Sequence, residues 1–591
     1  MIFISVLTLI VAKALPSFYR NLSSIYFTRI SAIIFIYAGV LSFNTFYIQS
    51  IGSGIGLYSG LFQITQLSVL IEIFFLIIGF LILIAWPLYK YKYKYKYKYK
   101  YKEIEKKSSY TLLNKDYSLI VLFSILGSCL LISSSDLISM YLSIELQSFG
   151  LYILSTLYRD SESSTNAGLK YFLLGGLSSC LILLGCGIIY SLTGLTKFES
   201  IYTIISSCSI NYIIQGLNLG LLFIIIGFLF KIAAAPLHHW APDVYDETPT
   251  IVTIWLTIMP KISIIILLLE LQEIATIGTI ESINLSNINT NTYSDILNNF
   301  NTLKFSSTSY NLDYLLEGNI MNMNLLKNLL LISSLLSLII GSVVGLAQTR
   351  IKRLLAYSTI SHIGFILLGL AINTEQSIDS LIFYIIQYTI TNLNMFLILI
   401  ALSYIIISNN LNTNNSNNKE LLFNEGNYLG DIKYISSLKG QFFLNPLLTL
   451  SLCICLFSMA GIPPLIGFFS KQFVLYSAIE NGYYFMTFIC ILVSVISASY
   501  YLKIIKVLLY PRRTEINKEE INNYKELEFN SPPLSTLNKG VVEITEKGEI
   551  LLTNFHSFIV STLTLFILLF ILKPSLILNI TQLISLSLFN F

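Results

Sequence analysis

Long apolar segments limit the fold of this chain more than any other feature. About fourteen of them approach the ~17–25 residues that a helix needs to cross a bilayer. Of the 591 residues, 54% are hydrophobic and only 12% are charged, whereas soluble domains carry about 25% charged residues. Backbone that faces lipid must satisfy its own hydrogen bonds, and helices achieve this. The sequence therefore predicts an all-α polytopic membrane protein.

Three lysines lie inside these apolar segments, namely Lys231, Lys261 and Lys471. A charge near the bilayer centre costs roughly 2.5–3.5 kcal/mol on insertion scales. Ionisable residues at such positions are rare, and they usually mark an ion or proton path. The pattern indicates a transporter rather than a simple membrane anchor.

Proline interrupts the seventh and twelfth apolar segments, and both carry a short repeat. Residues 230–236 (FKIAAAP) match residues 457–463 (FSMAGIP) at Phe, Ala and Pro with an offset of 227, which pairs Lys231 with Ser458. The offset spans an odd number of segments, so the second unit runs in the opposite direction across the membrane. Proline breaks a helix, and the freed carbonyls must face protein or water. We predict two inverted five-helix repeats with discontinuous helices 7 and 12.

Polar segments divide the chain into five predicted parts. Residues 1–116 hold the first three helices and a Lys/Tyr linker, and residues 117–273 form the first repeat. Residues 274–325, rich in Asn, Ser and Thr, form a polar loop insertion. Residues 326–510 form the second repeat, and residues 511–591 hold a polar loop and the fourteenth helix.

A carboxylate and two histidines accompany the lysines. Glu145 lies in the middle of the fifth segment and is a natural partner for Lys231. A buried lysine beside a carboxylate can take up and release a proton, although a static ion pair between two helices is the alternative. His238 follows the first proline break and His362 lies in the tenth segment. Each can relay protons near neutral pH, and an interhelical hydrogen bond is the alternative for each.

No metal site or redox centre is predicted in this chain. Its seven cysteines include no CxxC pair, and it has only four histidines, too few for a Cys/His cluster. The glycine-rich run at 52–56 lacks the third glycine and the βαβ context of a dinucleotide site. We expect the cysteines to act as small packing residues.

Three motifs resemble the antiporter-like subunits of respiratory complex I. The seventh-helix signature of that family is similar to KIAAAPLHHWAPDVYDETPT (231–250), the tenth-helix motif to KRLLAYSTISHIG (352–364), and the twelfth-helix motif to AGIPPLIGFFSK (460–471). The forms WAPDVY and YLSIE, the latter ending at Glu145, are most similar to the subunit 2 family within this group. The resemblance covers residues 110–510.

The resemblance implies a proton-translocating subunit of NADH:ubiquinone oxidoreductase. It implies that Glu145 and Lys231 are the pair on helices 5 and 7, and that Lys261 is the connecting lysine. Lys471 would belong to the exit half-channel, with the two histidines in the same relay. NADH, FMN, iron–sulfur clusters and ubiquinone would bind elsewhere in the complex, with no cofactor in this chain.

The resemblance also implies the partners and the membrane. The partners would be other membrane-arm subunits, including neighbouring antiporter-like subunits, and the lipid bilayer, with no nucleic acid. The apolar start without a presequence, the abundance of residues with AT-rich codons and the Tyr/Lys tract at 89–102 suggest a fungal protein encoded in mitochondria. We expect a multi-pass protein of the mitochondrial inner membrane.

Charge predicts the orientation. Most of the 36 Lys and Arg residues follow odd-numbered segments, and positive charge favours the cytoplasm-equivalent side. Loops 90–116 and 510–552 would then face the matrix, and 274–325 would face the intermembrane space.

Two alternatives of a different class stay open from the sequence. A stand-alone or Mrp-type cation/proton antiporter subunit shares the framework of lysines and prolines. A membrane scaffold that carries no protons would also need buried ion pairs between its helices. Copurification with an NADH-oxidising assembly would argue against an Mrp-type subunit. Loss of pumping on substitution of Lys231 would argue against a scaffold, which should keep pumping.

Overall fold

The computed structural model describes residues 1–15, 24–45, 54–84, 116–158, 161–207, 211–287, 309–412, 431–510 and 554–589. Helices account for most of this part of the chain. The α-helices are α1 (Ile2–Ala14), α2 (Ser24–Thr45), α3 (Gln66–Ile84), α4 (Tyr117–Ile132), α5 (Leu137–Ser155), α6 (Glu162–Thr193), α7 (Phe198–Ser207), α8 (Asn211–Ile232), α9 (Trp240–Glu247), α10 (Thr250–Asn287), α11 (Ser309–Leu346), α12 (Ile351–Ile372), α13 (Glu375–Asn412), α14 (Gln441–Leu444), α15 (Pro446–Ala460), α16 (Ile466–Glu480), α17 (Tyr484–Leu509), α18 (Asn554–Leu569) and α19 (Ser575–Phe589).

The predicted helical membrane fold is confirmed. Within the described residues, 11 helices are long and apolar enough to cross a membrane, and α1, α4 and α15 are shorter apolar helices at predicted positions. A further apolar helix, α19, was not predicted and packs against α13. It follows Lys573-Pro574, and its Ser, Thr, Asn and Gln residues weaken the hydropathy signal that marks the other segments.

Short extended segments interrupt the helical pattern near the N-terminal end. Strands β1 (Ile55–Leu57) and β2 (Phe62–Ile64) form an antiparallel hairpin where the third apolar segment was expected to begin. The glycine-rich run therefore leads into a hairpin, where Gly54 adopts a φ of 83°.

Three predicted polar regions lie partly or wholly outside the described residues. The predicted insertion at 274–325 overlaps α10, which continues to Asn287, and α11, which begins at Ser309; residues 288–308 are outside the described part. The Tyr/Lys tract at 89–102 and most of the loop at 510–552 also lie outside it.

The backbone makes the same pair of hydrogen bonds in both repeats. In each repeat, the backbone at the start of one helix, α5 or α12, is hydrogen-bonded to a short segment that precedes the broken helix in the chain. The bonds are Leu137 N to Thr196 O (3.0 Å) and Phe198 N to Ser135 O (3.1 Å) in the first repeat, and Ile351 N to Lys433 O (3.0 Å) and Ile435 N to Thr349 O (3.1 Å) in the second. The start of α5 therefore corresponds to the start of α12, 214 positions later.

Close helix contacts at glycine agree with this register. A Cβ on Gly127 of α4 would lie 2.6 Å from the backbone nitrogen of Gln147 on α5, and one on Gly341 of α11 would lie 2.7 Å from that of Ser361 on α12. Both members of the second contact again lie 214 positions after those of the first. The pairs α4–α5 and α11–α12 thus pack at equivalent points.

The broken helices correspond with an offset of 228 rather than the predicted 227. Helix α8 ends at Ile232 before Ala233 (φ 65°), and α15 ends at Ala460 before Gly461 (φ 85°). The sequence match FxxAxxP pairs Pro236 with Pro463, whereas the structure pairs it with the next residue, Pro464, which also follows a cis peptide bond. The sequence match is therefore displaced by one residue. In the structural register the counterpart of Lys231 is Met459, not Ser458.

Candidate functional site

The first helix break lies directly after Lys231 and leaves backbone groups to be satisfied. The carbonyl oxygen of Phe230 accepts hydrogen bonds from the backbone nitrogen of Ala233 (3.1 Å) and from the indole Nε1 of Trp240 (2.9 Å). The ring of Tyr171 on α6 stacks on Trp240 with centroids 4.9 Å apart. The short helix α9 is therefore held against the end of α8, next to Lys231.

The structure brings Glu145 and Lys231 together as the sequence predicted. The Lys231 Nζ lies 3.9 Å from Glu145 Oε1, and the two side chains are 8% and 15% exposed. Within the described residues, neither of these two atoms has a hydrogen-bond partner. The hydroxyl of Ser148 lies 3.5 Å from the other oxygen, Glu145 Oε2. The pair is thus close enough for a strong charge interaction but is not locked by a hydrogen bond.

A small cavity adjoins the Lys231 amine. Its volume is about 20 Å³, and its lining includes Gln147, Ser148, Tyr152, Lys231 and Trp240. About 10–15 Å³ on this measure holds one water molecule. The cavity therefore offers a polar site of water size beside the lysine.

Lys261 lies at the contact between α9, α10 and α12. Its side chain is 1% exposed, and its Nζ donates a hydrogen bond of 3.1 Å to Thr359 Oγ1. The amine lies 5.4 Å from the centre of the Tyr245 ring on α9. Among the ion pairs of the described residues, none involves Lys261. This lysine is held by a neutral hydroxyl where Lys231 faces a carboxylate.

His362 on α12 bridges two further helices. Its Nδ1 lies 2.7 Å from the hydroxyl of Tyr384 on α13, and its Nε2 lies 3.4 Å from the hydroxyl of Tyr501 on α17. Both ring nitrogens are used in interhelical contacts, which is the alternative that the sequence left open. A proton relay through His362 would therefore run through these two phenols.

The Lys471 side chain lies against the second helix break, at the C-terminal end of α15. Its Nζ donates hydrogen bonds to the carbonyl oxygens of Met459 (3.0 Å) and Ala460 (2.9 Å) at the end of α15. It also lies 5.8 Å from the centre of the Phe365 ring. The side chain is 8% exposed, so it points into the protein and not into lipid.

One face of α12 connects these groups. Thr359, His362 and Phe365 follow one another at three-residue spacing, which places them on the same side of the helix. With a rise of 1.5 Å per residue, the first and the last lie about 9 Å apart along the axis. Lys261 contacts the first and Lys471 contacts the last. The structure thus arranges Lys261, His362 and Lys471 along a single buried helix.

His238 is placed differently. Its Nδ1 lies 3.3 Å from the carbonyl oxygen of Pro236, and its ring packs 4.5 Å from that of His239. The ring of Tyr357 on α12 lies 6.3 Å away. In the described structure these contacts belong to the break itself, and no hydrogen bond joins His238 to the three lysines. Its predicted role as a relay rests on the sequence alone.

Several polar residues of the site were not singled out from the sequence. They are Gln147, Ser148, Ser263, Thr359, Tyr384, Tyr388 and Tyr501. Gln147 donates from Nε2 to Ser263 Oγ at 3.0 Å, which links the cavity to α10. The spacing of Thr359 and His362 on one helix face was visible in the sequence, but partners on other helices were not.

In the part of the chain that the structure describes, no group of three His, Cys, Asp or Glu residues is placed to hold a metal ion.

Comparison with protein families identifies this arrangement. The profile of the family described as "NADH:quinone oxidoreductase/Mrp antiporter, TM" matches residues 134–293 and 314–497. The matched segments contain Glu145, the three buried lysines and both histidines. They cover more than half of the chain.

Individual relatives agree. The chain is 44% identical over 604 aligned residues to NADH-ubiquinone oxidoreductase chain 2 from Rhizopus oryzae, with 100% of both chains covered. In fold it is similar to a chain of respiratory complex I from Thermus thermophilus, with a TM-score of 0.63 at 21% identity, covering 98% of this chain and 99% of that one. A chain of the Mrp complex from Dietzia sp. has a similar fold, with a TM-score of 0.68 at 16% identity, covering 100% and 96%.

The two fold matches do not separate the redox complex from the Mrp complex, because both are structurally similar at low identity. The sequence match over the whole chain does separate them, since it is to a chain 2 protein. The chain belongs to the NADH-ubiquinone oxidoreductase chain 2 family.

Proposed function

We propose that this chain is a proton-translocating membrane subunit of NADH:ubiquinone oxidoreductase in the mitochondrial inner membrane. The observation that carries the proposal is the set of three buried lysines, of which Lys231 adjoins one helix break and Lys471 caps the other. Redox chemistry in other subunits, with NADH, FMN, iron–sulfur clusters and ubiquinone, would drive the protons. Neighbouring antiporter-like subunits and other membrane-arm subunits would be the partners, along with the bilayer.

The Glu145–Lys231 pair is the switch in this proposal. At 3.9 Å the attraction between the charges is strong, since it acts away from bulk water. A small change in this distance alters how firmly the lysine holds its proton. The adjoining cavity gives a water molecule a place to pass that proton on.

The proton would then move along α12. Lys261, held by Thr359, receives it, and Lys471 at the second break releases it. His362 lies between Thr359 and Phe365, the two residues of α12 that these lysines contact. His238 would serve the first break.

Substitution of Lys231 by methionine tests the proposal. Methionine keeps an apolar stem but removes the titrating amine. Assembly should survive because no hydrogen bond of this amine is lost in the described structure, and because the Glu145 carboxylate left behind can be neutralised by taking up a proton. We expect pumping coupled to NADH oxidation to fall at least tenfold in the assembled complex. Lys503→Met, at an exposed lysine on α17, is the matched control.

Three results would change the conclusion. Full pumping by an assembled Lys231→Met complex would exclude the relay. Loss of assembly alone would favour a static ion pair in a membrane scaffold. Migration on a native gel apart from any NADH-oxidising assembly would favour an Mrp-type antiporter subunit.

A further inference from the structure

The register of the two repeats assigns a counterpart to Glu145. It lies on α5, which corresponds to α12 with the offset of 214 shown by two backbone hydrogen bonds and by the glycine contacts. That offset places Thr359 at the position of Glu145, as the ninth residue of its helix. The counterpart of Lys231 is Met459. The second repeat therefore has uncharged residues at both positions of the charged pair.

Thr359 nevertheless holds an amine. Lys261, which comes from the first repeat, donates its hydrogen bond of 3.1 Å to the Thr359 hydroxyl. The Thr359 hydroxyl in turn donates to the carbonyl oxygen of Ala356 at 2.8 Å. Because its own hydrogen is used in that bond, the hydroxyl oxygen faces Lys261 as an acceptor.

We propose that Thr359 is a positioning residue for proton transfer. Its hydroxyl orients the Lys261 amine towards the polar face of α12 without stabilising the charged form of the amine, as a carboxylate would. An uncharged acceptor orients both the ammonium and the neutral amine, whereas a carboxylate strongly favours the ammonium. Lys261 can therefore be oriented and still release its proton towards His362, one turn further along the helix. This inference rests on the proposed function.

The two repeats differ in how strongly this helix position favours a charged amine. In the first repeat Glu145 attracts a proton to Lys231 by its charge. In the second repeat the same place on the helix offers only a hydroxyl, so the proton is less firmly held there. The titratable groups around Lys261 are Tyr245 on α9, whose ring centre lies 5.4 Å from the amine, Tyr388 on α13, whose hydroxyl donates at 3.2 Å to the carbonyl oxygen of Thr257 one turn before Lys261, and His362, one turn after Thr359 on α12.

Three substitutions at Thr359 test the inference in the assembled complex. Thr359→Val keeps the shape but removes the acceptor, and we expect coupled turnover to fall about fivefold, the loss of one hydrogen bond. Thr359→Ser keeps the hydroxyl and should restore at least half of the native turnover. Thr359→Glu introduces the carboxylate that Glu145 provides in the first repeat. It should slow pumping and move its pH optimum upwards, since the Lys261 ammonium is then harder to deprotonate.

Thr389→Val is the matched control. Thr389 is also buried in a membrane helix and its hydroxyl also donates to a carbonyl three residues earlier, that of Ile386 at 2.8 Å. It contacts no lysine in the described structure. Its substitution should leave turnover and the pH profile unchanged.

The outcomes separate this inference from the proposed function. Equal turnover of Thr359→Val and Thr389→Val would overturn it, as would an unchanged pH optimum in Thr359→Glu. Failure of all three Thr359 variants to assemble, with Thr389→Val assembled, would show a purely structural role and also overturn it. If Lys231→Met abolishes pumping while the Thr359 variants pump normally, the proposed function stands and only the role of Thr359 fails.

Discussion

The Lys471 amine donates a hydrogen bond of 2.9 Å to the carbonyl oxygen of Ala460, the last residue of α15. A second bond of 3.0 Å goes to Met459 O. The last carbonyls of a helix have no partner within it, so this lysine satisfies groups that the break leaves free. The same side chain is thus both a structural cap and a titratable group.

We expect Lys471→Met to impair both assembly and pumping. Each buried carbonyl left without a partner costs about 1–3 kcal/mol. Lys231→Met removes no hydrogen bond in the described structure and should assemble better. The measurement is the yield and the thermal midpoint of the purified complex for both variants. Equal yields would show that the cap contributes little.

Gly461, at the second helix break, leaves room for the Lys471 side chain to pack against the backbone. Its φ is 85°, and a Cβ there would lie 3.0 Å from Lys471 Cδ. Gly482 has a similar φ of 80° with nothing within 4 Å of its Cβ position. Both substitutions by alanine should cost about 1–2 kcal/mol of backbone strain.

Only Gly461→Ala should lower proton pumping, because only there does the new methyl group displace the lysine. Pumping and stability of the two variants, measured side by side, separate strain from displacement. A similar loss of pumping in Gly482→Ala would contradict this explanation.

A buried ion pair between Lys352 and Asp431 joins the two repeats. Lys352 also donates to the carbonyl oxygen of Thr248 at 2.7 Å, and Asp431 accepts from the hydroxyl of Thr250 at 2.9 Å. Removing one partner of a buried pair typically costs 3–5 kcal/mol, roughly, because the other charge stays buried. We expect Lys352→Met to reduce assembly strongly.

Lys170→Met is the control for Lys352→Met. Lys170 pairs with Asp243 at 3.4 Å, but the side chains are 47% and 35% exposed. Such a pair contributes about 0–1 kcal/mol. Native gels of both variants give the comparison, and normal assembly of Lys352→Met would mean that the buried pair is dispensable.

Two exposed tyrosines test the orientation predicted from charge. Tyr58 lies at the tip of the β1–β2 hairpin and is 78% exposed, and Tyr434 precedes α14 and is 51% exposed. A membrane-impermeant thiol reagent added to mitoplasts should label Tyr58→Cys and leave Tyr434→Cys unlabelled. The reverse pattern would invert the topology.

The broken-helix contacts show where sequence reasoning reached its limit. The prolines and the three lysines were visible in the sequence, since charge and helix breakers stand out in apolar segments. Glu145 was also identified, because it is the carboxylate in the middle of its span. The offset between the broken helices was misplaced by one residue, because similar letters in an apolar sequence match at neighbouring offsets.

The sequence by itself determined the membrane fold, the inverted repeat and the charged residues inside it, because hydropathy and buried charge are local properties of the chain. Tertiary structure decided the partners. It placed Thr359 under Lys261, two phenols on His362, and the α15 carbonyls on Lys471. These contacts join separate helices, two of them far apart in sequence, and they depend on which helix faces pack together, a property that no segment carries alone.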